Sequence, residues 1–348
     1  MGDTARLSEI VFGKLKRVFR KLVADIRHKR LSARYNKLID RHKTELSVIG
    51  GDGASLLHSA GPIVVFCCRD EALRLPYFLQ YYRDLGFEGF IAIDNMSSDG
   101  TRELLLEQDD VVLIEANGSY LAARCGLYWV NHVLRDKVVN GRWVLLVDVD
   151  ELLVFRGVEN GGISELIADS ESAGDGIVFT PMIDMYSRLD LDQVDYKRGE
   201  PFTGTCSYFD GVDTYNLIIK RFGYGVEGGV RDRVFFKSED GKNKINLTKY
   251  SFFKWDNRML VKTAHSVSPK YMQETKTIAA LLHFKFFQDF REKVEVAVRD
   301  NLHWNDSQEY KVYWEGLESG RSLSLYSEAS EKYVDSRTLS RLFELRSE

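Results

Sequence analysis

The stretch Pro62-Ile63-Val64-Val65-Phe66-Cys67-Cys68-Arg69-Asp70-Glu71 runs apolar for most of its length and then turns abruptly to charge. A continuous apolar run, rather than an alternating one, is what a strand buried on both faces requires. Three further runs have the same character: Phe90-Ile91-Ala92-Ile93, Val111-Val112-Leu113-Ile114 and Trp143-Val144-Leu145-Leu146-Val147. The gaps between them are long enough for crossover helices, and helical patterns around Leu75 to Leu85, Thr101 to Glu107 and Tyr120 to Val133 fill them. The expected fold is therefore α/β with a mostly parallel, Rossmann-like sheet.

Polar clusters follow the strands in a regular way: Arg69-Asp70-Glu71 after the first, Asp94-Asn95 after the second, Asp148-Val149-Asp150-Glu151 after the fourth. In an open parallel sheet the carboxyl ends of the strands share one edge, and ligands bind in the crevice there. One Asp in such a place is usually a loop or cap residue. Three acidic clusters on one edge repel one another unless cations offset them, so a divalent Mn²⁺ or Mg²⁺ is the economical expectation. No Gly-x-Gly-x-x-Gly follows the first strand and no Gly-x-x-x-x-Gly-Lys-Ser/Thr occurs, which disfavours dinucleotide dehydrogenases and P-loop enzymes. A carboxylate-held metal suits a substrate that brings its own phosphates.

With 348 residues, 44% hydrophobic and 29% charged, the chain is expected to fold as one large globular unit with additions. Its net charge of −4 is unevenly spread: residues 1 to 43 hold thirteen Lys and Arg against four acids, +9, which leaves the other 305 residues at −13. Within that basic segment Leu7, Val11, Leu15, Val18, Leu22 and Ile26 recur at helical spacing while Lys14, Lys16, Arg17, Arg20 and Lys21 lie largely off that line. An amphipathic basic helix of this kind lies on an anionic membrane surface or packs on its own domain or a partner, and the sequence alone leaves both open. Nucleic acid is not expected, because the rest of the chain is acidic and aromatic-basic interleaving is missing. The organisation expected is a basic helical segment over 1–48, a linker over 49–61 around Ile49-Gly50-Gly51-Asp52-Gly53, a catalytic domain over 62–287 and a helical region over 288–348. No apolar run approaches the ~20 residues that span a bilayer, and Cys67, Cys68, Cys125 and Cys206 lack metal or disulfide spacing. A cytoplasmic protein, peripheral at the inner face of the cell membrane if the helix attaches there, is the expected location.

At these motifs the chain resembles the family 2-like glycosyltransferases of the GT-A fold. The likeness begins with Arg69-Asp70-Glu71-Ala72-x-x-Leu75-Pro76 and continues with Asp94-Asn95-Met96-Ser97-Ser98-Asp99-Gly100-Thr101, in which Asn95 and Met96 depart from the family pattern. It extends through Ala122-Ala123-Arg124, Asp148-Val149-Asp150-Glu151, Gly228-Gly229-Val230-Arg231-x-Arg233-Val234-Phe235 and Leu282-His283-Phe284-Lys285-Phe286. Each motif is weak by itself; their order and spacing are specific. The resemblance implies a nucleotide-sugar held by Asp94 and Arg124, with Arg69, Asp70, Glu71, Asn95 and Asp99 around it, and a metal brought to the diphosphate by Asp148 and Asp150. His283 is the expected third ligand, since imidazole suits Mn²⁺, with His265 as its rival and a satisfied core histidine as the plain alternative.

Inverting transfer, the family's habit, needs a base for the acceptor hydroxyl. Asp184, after the apolar run Ile177 to Phe179, is expected to have its pKa raised by apolar neighbours; Asp232, in the glycine-led loop, and Glu151 remain alternatives. Arg231 and Arg233 suit phosphate, or pair with local acids. Trp255, Trp304, Tyr310, Tyr313 and Trp314 either stack on acceptor sugars or pack a helical core, and helices over 289–301, 307–317 and 336–343 are expected to close over the first half. The function expected is a metal-dependent, inverting glycosyltransferase acting on a glycan or glycolipid in surface polysaccharide synthesis. A non-catalytic scaffold of the same fold is the rival. A sugar-1-phosphate nucleotidyltransferase is disfavoured by the missing glycine-rich first loop.

Overall fold

A computed structural model describes residues 2–51, 60–236, 245–300, 307–318 and 323–344, with the side chains of 2–15 and of residue 17 outside the description. Helix α1 (Gly2–His42) leads into strand β1 (Leu46–Gly50). There follow β2 (Ile63–Cys68), α2 (Leu75–Asp84), β3 (Gly89–Asp94), α3 (Thr101–Leu106), β4 (Val111–Ala116), α4 (Leu127–Leu134), β5 (Trp143–Leu146) and β6 (Glu151–Val154). The chain continues through α5 (Ile163–Ser172), β7 (Ile177–Val178), β8 (Met182–Asp184), α6 (Phe202–Thr205), β9 (Tyr208–Asp210), β10 (Tyr215–Ile219), β11 (Tyr224–Gly228) and α7 (Gly229–Val234). Strands β12 (Phe252–Lys254), β13 (Leu260–Thr263), β14 (Ser266–Ser268) and β15 (Ala280–His283) precede α8 (Phe290–Arg299) and α9 (Gln308–Glu318).

The central sheet has the order β1-β4-β3-β2-β5-β12-β7. Its middle, β4-β3-β2-β5, is parallel, and these are the four apolar runs of the sequence. Strands β1, β12 and β7 extend it antiparallel at the two sides. The fold is thus the expected α/β type with a mostly parallel core sheet. Residues 46–50 pair with β4, so the sheet begins inside the basic segment and inside the start of the expected linker. The remainder of that linker, 52–59, lies outside the described residues.

Helix α2 shows why the crossovers sit where they do. Its Leu75, Phe78, Leu79 and Tyr82 are buried at i, i+3, i+4 and i+7, one stripe facing the sheet, with Pro76 in the first turn. Tyr82 also donates its hydroxyl to the Glu151 carbonyl at 2.8 Å, tying the helix to β6. The helix expected from Tyr120 begins only at Leu127, because Arg124, Cys125 and Gly126 all take positive φ and form a tight turn instead. A second, smaller sheet, β6-β15-β8, stands beside the first. Helices α8 and α9 bury Phe290, Val294, Tyr313 and Leu317 against Tyr186, Val230 and Phe286, closing over that small sheet. Among the described residues, no helix is long and apolar enough to cross a membrane.

Candidate active site

The small sheet lines up three ionisable residues. In β15, His283 stands opposite Glu151 of antiparallel β6 and opposite Asp184 of parallel β8. Directly opposed residues share a face and touch, so the register itself makes the row Glu151, His283, Asp184. His283 Nδ1 lies 2.6 Å from Asp184 Oδ1, and Nε2 lies 3.4 Å from Asp150 Oδ2. Burial pushes the imidazole pKa down, but the carboxylates of Asp150 and Asp184 outweigh it and raise it to about 9. Asp150, pushed upward by its own burial, is held well below the usual carboxylate range by His283, Arg74 and Lys285.

Asp184 is fully buried, and its other oxygen accepts from Arg231 Nε at 2.8 Å. Burial alone would raise its pKa; Arg231 and His283 reverse the effect and bring it down to about 2. This corrects the expectation of an elevated base. A carboxylate with both oxygens occupied and little proton affinity is suited to holding His283 in place. Arg231 reaches Asp184 because Gly228 (φ 116°) and Gly229 (φ 74°) turn the chain sharply from β11 into α7; a Cβ at Gly228 would stand 2.5 Å from the Thr214 carbonyl oxygen. Its Nη1 meets Glu309 of α9 at 3.1 Å, while Nη2 is buried without a hydrogen-bond partner.

In the turn after β5, Val149 enters the core while Asp148 is largely exposed and Asp150 half-buried. Lys249, only 3% exposed, places Nζ 3.3 Å from Asp148 Oδ2 and 2.5 Å from Glu151 Oε1. Burial lowers the lysine pKa, yet Glu151 and Asp148 together raise it above its ordinary value. At the next strand ends, Arg74, 1% exposed, forks onto Asp289 at 2.5 and 2.7 Å and contacts Glu71 at 3.2 Å, and Lys293 meets Glu71 at 2.5 Å. The acidic edge is thus offset largely by the chain's own cations. Charge balance does not by itself demand a metal, contrary to the expectation drawn from the acids alone.

The remaining sequence-predicted residues divide between this edge and the segment after β11, many of them in structural bonds. Asp94 ends β3 fully buried; Oδ1 accepts from the Ser97 hydroxyl, and Oδ2 lies 3.4 Å from Arg102 Nε. Asn95 donates to the carbonyls of Ala116 and Gly118 at 2.8 and 3.0 Å. Asp99 accepts from the amides of Ala72 and Thr101, and Asp70 from that of Ser98. Arg69 lies exposed, 3.7 Å from Asp70. Arg124 places its guanidinium 5.4 Å above the ring of Tyr35 in α1. Arg233 is spent on Asp210, at 2.8 and 2.9 Å, and on the Leu325 carbonyl, so the pairing alternative holds for it. Asp232 is half-buried and accepts from the Ile245 amide at 2.6 Å. His265 is held to the Thr248 carbonyl at 2.7 Å, and burial with Lys249 nearby lowers its pKa to about 4.

Trp255 and Tyr313 are core residues and Trp314 packs against the same cluster as Tyr313, which favours packing over sugar stacking; Trp304 lies outside the described residues. Four cations of this edge are not singled out by the sequence: Lys249, Arg74, Arg102 and Lys293. Arg74 and Lys293 carry a local signal, at i, i+3 from Glu71 and i, i+4 from Asp289.

Among the described residues no three side chains of His, Cys, Asp and Glu stand as a ready cage for an ion. Asp148 and Asp150 nonetheless present carboxylate oxygens of the type a divalent cation takes, with the His283 imidazole beside Asp150. Asp184 on Nδ1 leaves Nε2 facing the Asp150 carboxylate, the arrangement that commonly lies behind metal-bound imidazoles. Mg²⁺ and Mn²⁺ are often held by one or two protein ligands with substrate phosphates completing the shell.

The chain matches no protein-family model and no curated protein. Among solved structures it is similar over part of its length to a 4-diphosphocytidyl-2C-methyl-D-erythritol synthase, at 14% identity and TM-score 0.27, covering 40% of this chain and 68% of that one. It is also similar to HddC from Yersinia pseudotuberculosis, at 9% identity and TM-score 0.25, covering 66% of this chain and 79% of that one.

Proposed function

We propose that the protein transfers a sugar from a nucleoside-diphosphate donor to a hydroxyl of a glycan or glycolipid, with inversion at the anomeric carbon. The observation that carries this reading is the convergence, at the carboxyl ends of β2, β3 and β5, of Asp94, Asp150 and the row Glu151, His283, Asp184. The order of the sequence motifs supplies the class of donor and acceptor. Asp148, Asp150 and His283 would hold Mn²⁺ or Mg²⁺, which when bound neutralises charge on the departing diphosphate. Asp184 orients His283 through Nδ1, and Arg231 keeps Asp184 ionised. With Asp184 so occupied, Asp232 is the better candidate for the base. The acceptor oxygen forms its bond to the anomeric carbon as the bond to phosphate breaks; the electron pair leaves with the nucleoside diphosphate and the hydroxyl proton passes to the base.

One observation favours a variant of this reading. Lys249, buried against Asp148 and Glu151, already places a positive charge beside the Asp148 carboxylate, which favours transfer supported by lysine in place of a metal. Release of nucleoside diphosphate from a panel of nucleotide-sugars, with and without chelator, tests both. Release that stops in chelator and returns with Mn²⁺ supports the metal; release that survives chelator but not Lys249→Met supports the lysine. Binding without turnover indicates a scaffold, and pyrophosphate formed from a nucleoside triphosphate and a sugar phosphate indicates a nucleotidyltransferase.

A further inference from the structure

Among the described residues from 16 to 30, helix α1 has one face that meets the rest of the protein and one that stands exposed; further along, Asn36 returns to the body through Arg135. Tyr35 and Ile39 are buried against Tyr128 of α4 and Leu260 of β13, and the Tyr35 hydroxyl reaches the Lys262 carbonyl. His28 bonds to Ser268 at 3.0 Å, and Lys21 lies over the ring of Tyr271. Residues 21, 28, 35 and 39 fall within a narrow sector when turned at about 100° per residue. This is the docked face.

Val18, Phe19, Leu22 and Ile26 form a second apolar stripe, centred about 120° around the same helix by that rotation. They are 65%, 65%, 54% and 45% exposed. Along one flank stand Lys16, Arg20, Arg27 and Arg30, all exposed, and Lys29, also exposed, lies within the stripe's own sector. Residues 16 to 34 hold eight Lys and Arg against one acid, Asp25. Pairing this stripe with the same stripe of a second copy would bring two strongly cationic segments together, so charge disfavours self-association. An anionic surface satisfies both terms at once, apolar side chains entering the headgroup boundary and cations meeting lipid phosphates.

We infer that the stripe from Val18 to Ile26, with its flanking cations, is a docking surface for an anionic lipid membrane. The docked face fixes the orientation of the attached protein, because Tyr35 grips the helix to the body and lies under Arg124 at the edge of the candidate site. This inference does not depend on the reaction proposed for that site.

Co-sedimentation of the full chain with vesicles tests it. Vesicles of phosphatidylcholine with about one-third phosphatidylglycerol should carry the protein down at low salt, pure phosphatidylcholine should not, and about 0.5 M salt should release most of it. Arg27→Glu with Lys29→Glu should lower the partition coefficient at least about tenfold. Leu22→Glu with Ile26→Glu should do the same with an unchanged melting temperature, since both side chains are exposed. Failure to sediment with anionic vesicles at low salt would overturn the inference. So would equal partition onto neutral vesicles, or a dimer of the parent chain that this last double variant converts to monomer.

Discussion

Arg231 holds two carboxylates, Asp184 and Glu309, from a position almost closed to water. Replacing it with methionine leaves Asp184 buried with a lost partner, and removal of one member of a buried pair costs about 3–5 kcal/mol. Thermal or urea unfolding of Arg231→Met should show a loss of that order; a change within experimental error would mean that Asp184 takes up a proton or another partner. Asp289→Ala leaves buried Arg74, whose Nε already lacks a hydrogen-bond partner, with Glu71 alone, and should be destabilising, though by less than the loss of Arg231. Asp184 also marks how far single residues were legible. Its place after an apolar run correctly indicated burial, but its proton affinity was set by Arg231, 47 positions away in sequence, and by His283, 99 away. No local pattern carries contacts of that separation. Lys249 was invisible for the same reason, whereas Asp148, Asp150 and His283 stood out because their motifs are contiguous.

The small sheet and the helix laid over it form a unit held by charge as much as by packing. Glu309 in α9 bonds to Arg231 and to the Tyr313 hydroxyl. Partial burial pushes its pKa up, but Arg231 and Lys285 outweigh this and bring it to about 2, below the roughly 4.3 of an unfolded chain. A depressed folded pKa contributes stability above the unfolded value, and that contribution is lost as pH falls through about 2. Unfolding free energies of the parent and Glu309→Gln should therefore differ at neutral pH and converge as the pH drops below about 4. A gap that persists unchanged to low pH would assign the loss to packing. At this scale the four parallel strands are plain from continuous apolar runs and α2 from its helical periodicity, because burial on both faces or along one stripe imposes each pattern. The row Glu151, His283, Asp184 was not, because three short strands far apart in sequence meet only through tertiary register. The turn at Arg124 to Gly126 has the hydropathy of a helix, since positive φ at three consecutive residues leaves no mark there.

At the scale of the whole molecule, the candidate site and a cavity lie at opposite ends of the parallel strands. The carboxyl edge gathers acids and their internal cations, while the opposite side carries a cavity of about 990 Å³ bordered by both signs of charge, Lys254, Arg258 and Lys276 with Asp175, Asp256 and Glu274. Helix α1 reaches from that cavity, at Lys21, to the candidate site, at Tyr35 and Arg124. The charge split between the first 43 residues and the rest was legible from composition; the division of the helix into a docked and an exposed face needed its neighbours in space. The central proposition is that the carboxyl edge, and not the cavity, receives a nucleoside diphosphate with a divalent metal. Calorimetric titration of nucleoside diphosphates in Mn²⁺ into the parent chain, Asp150→Ala and Lys276→Ala tests it most directly. The expected result is binding by the parent and by Lys276→Ala, weakened by tenfold or more in Asp150→Ala, a loss of about 1.4 kcal/mol or more. Undiminished binding by Asp150→Ala together with loss in Lys276→Ala would contradict it.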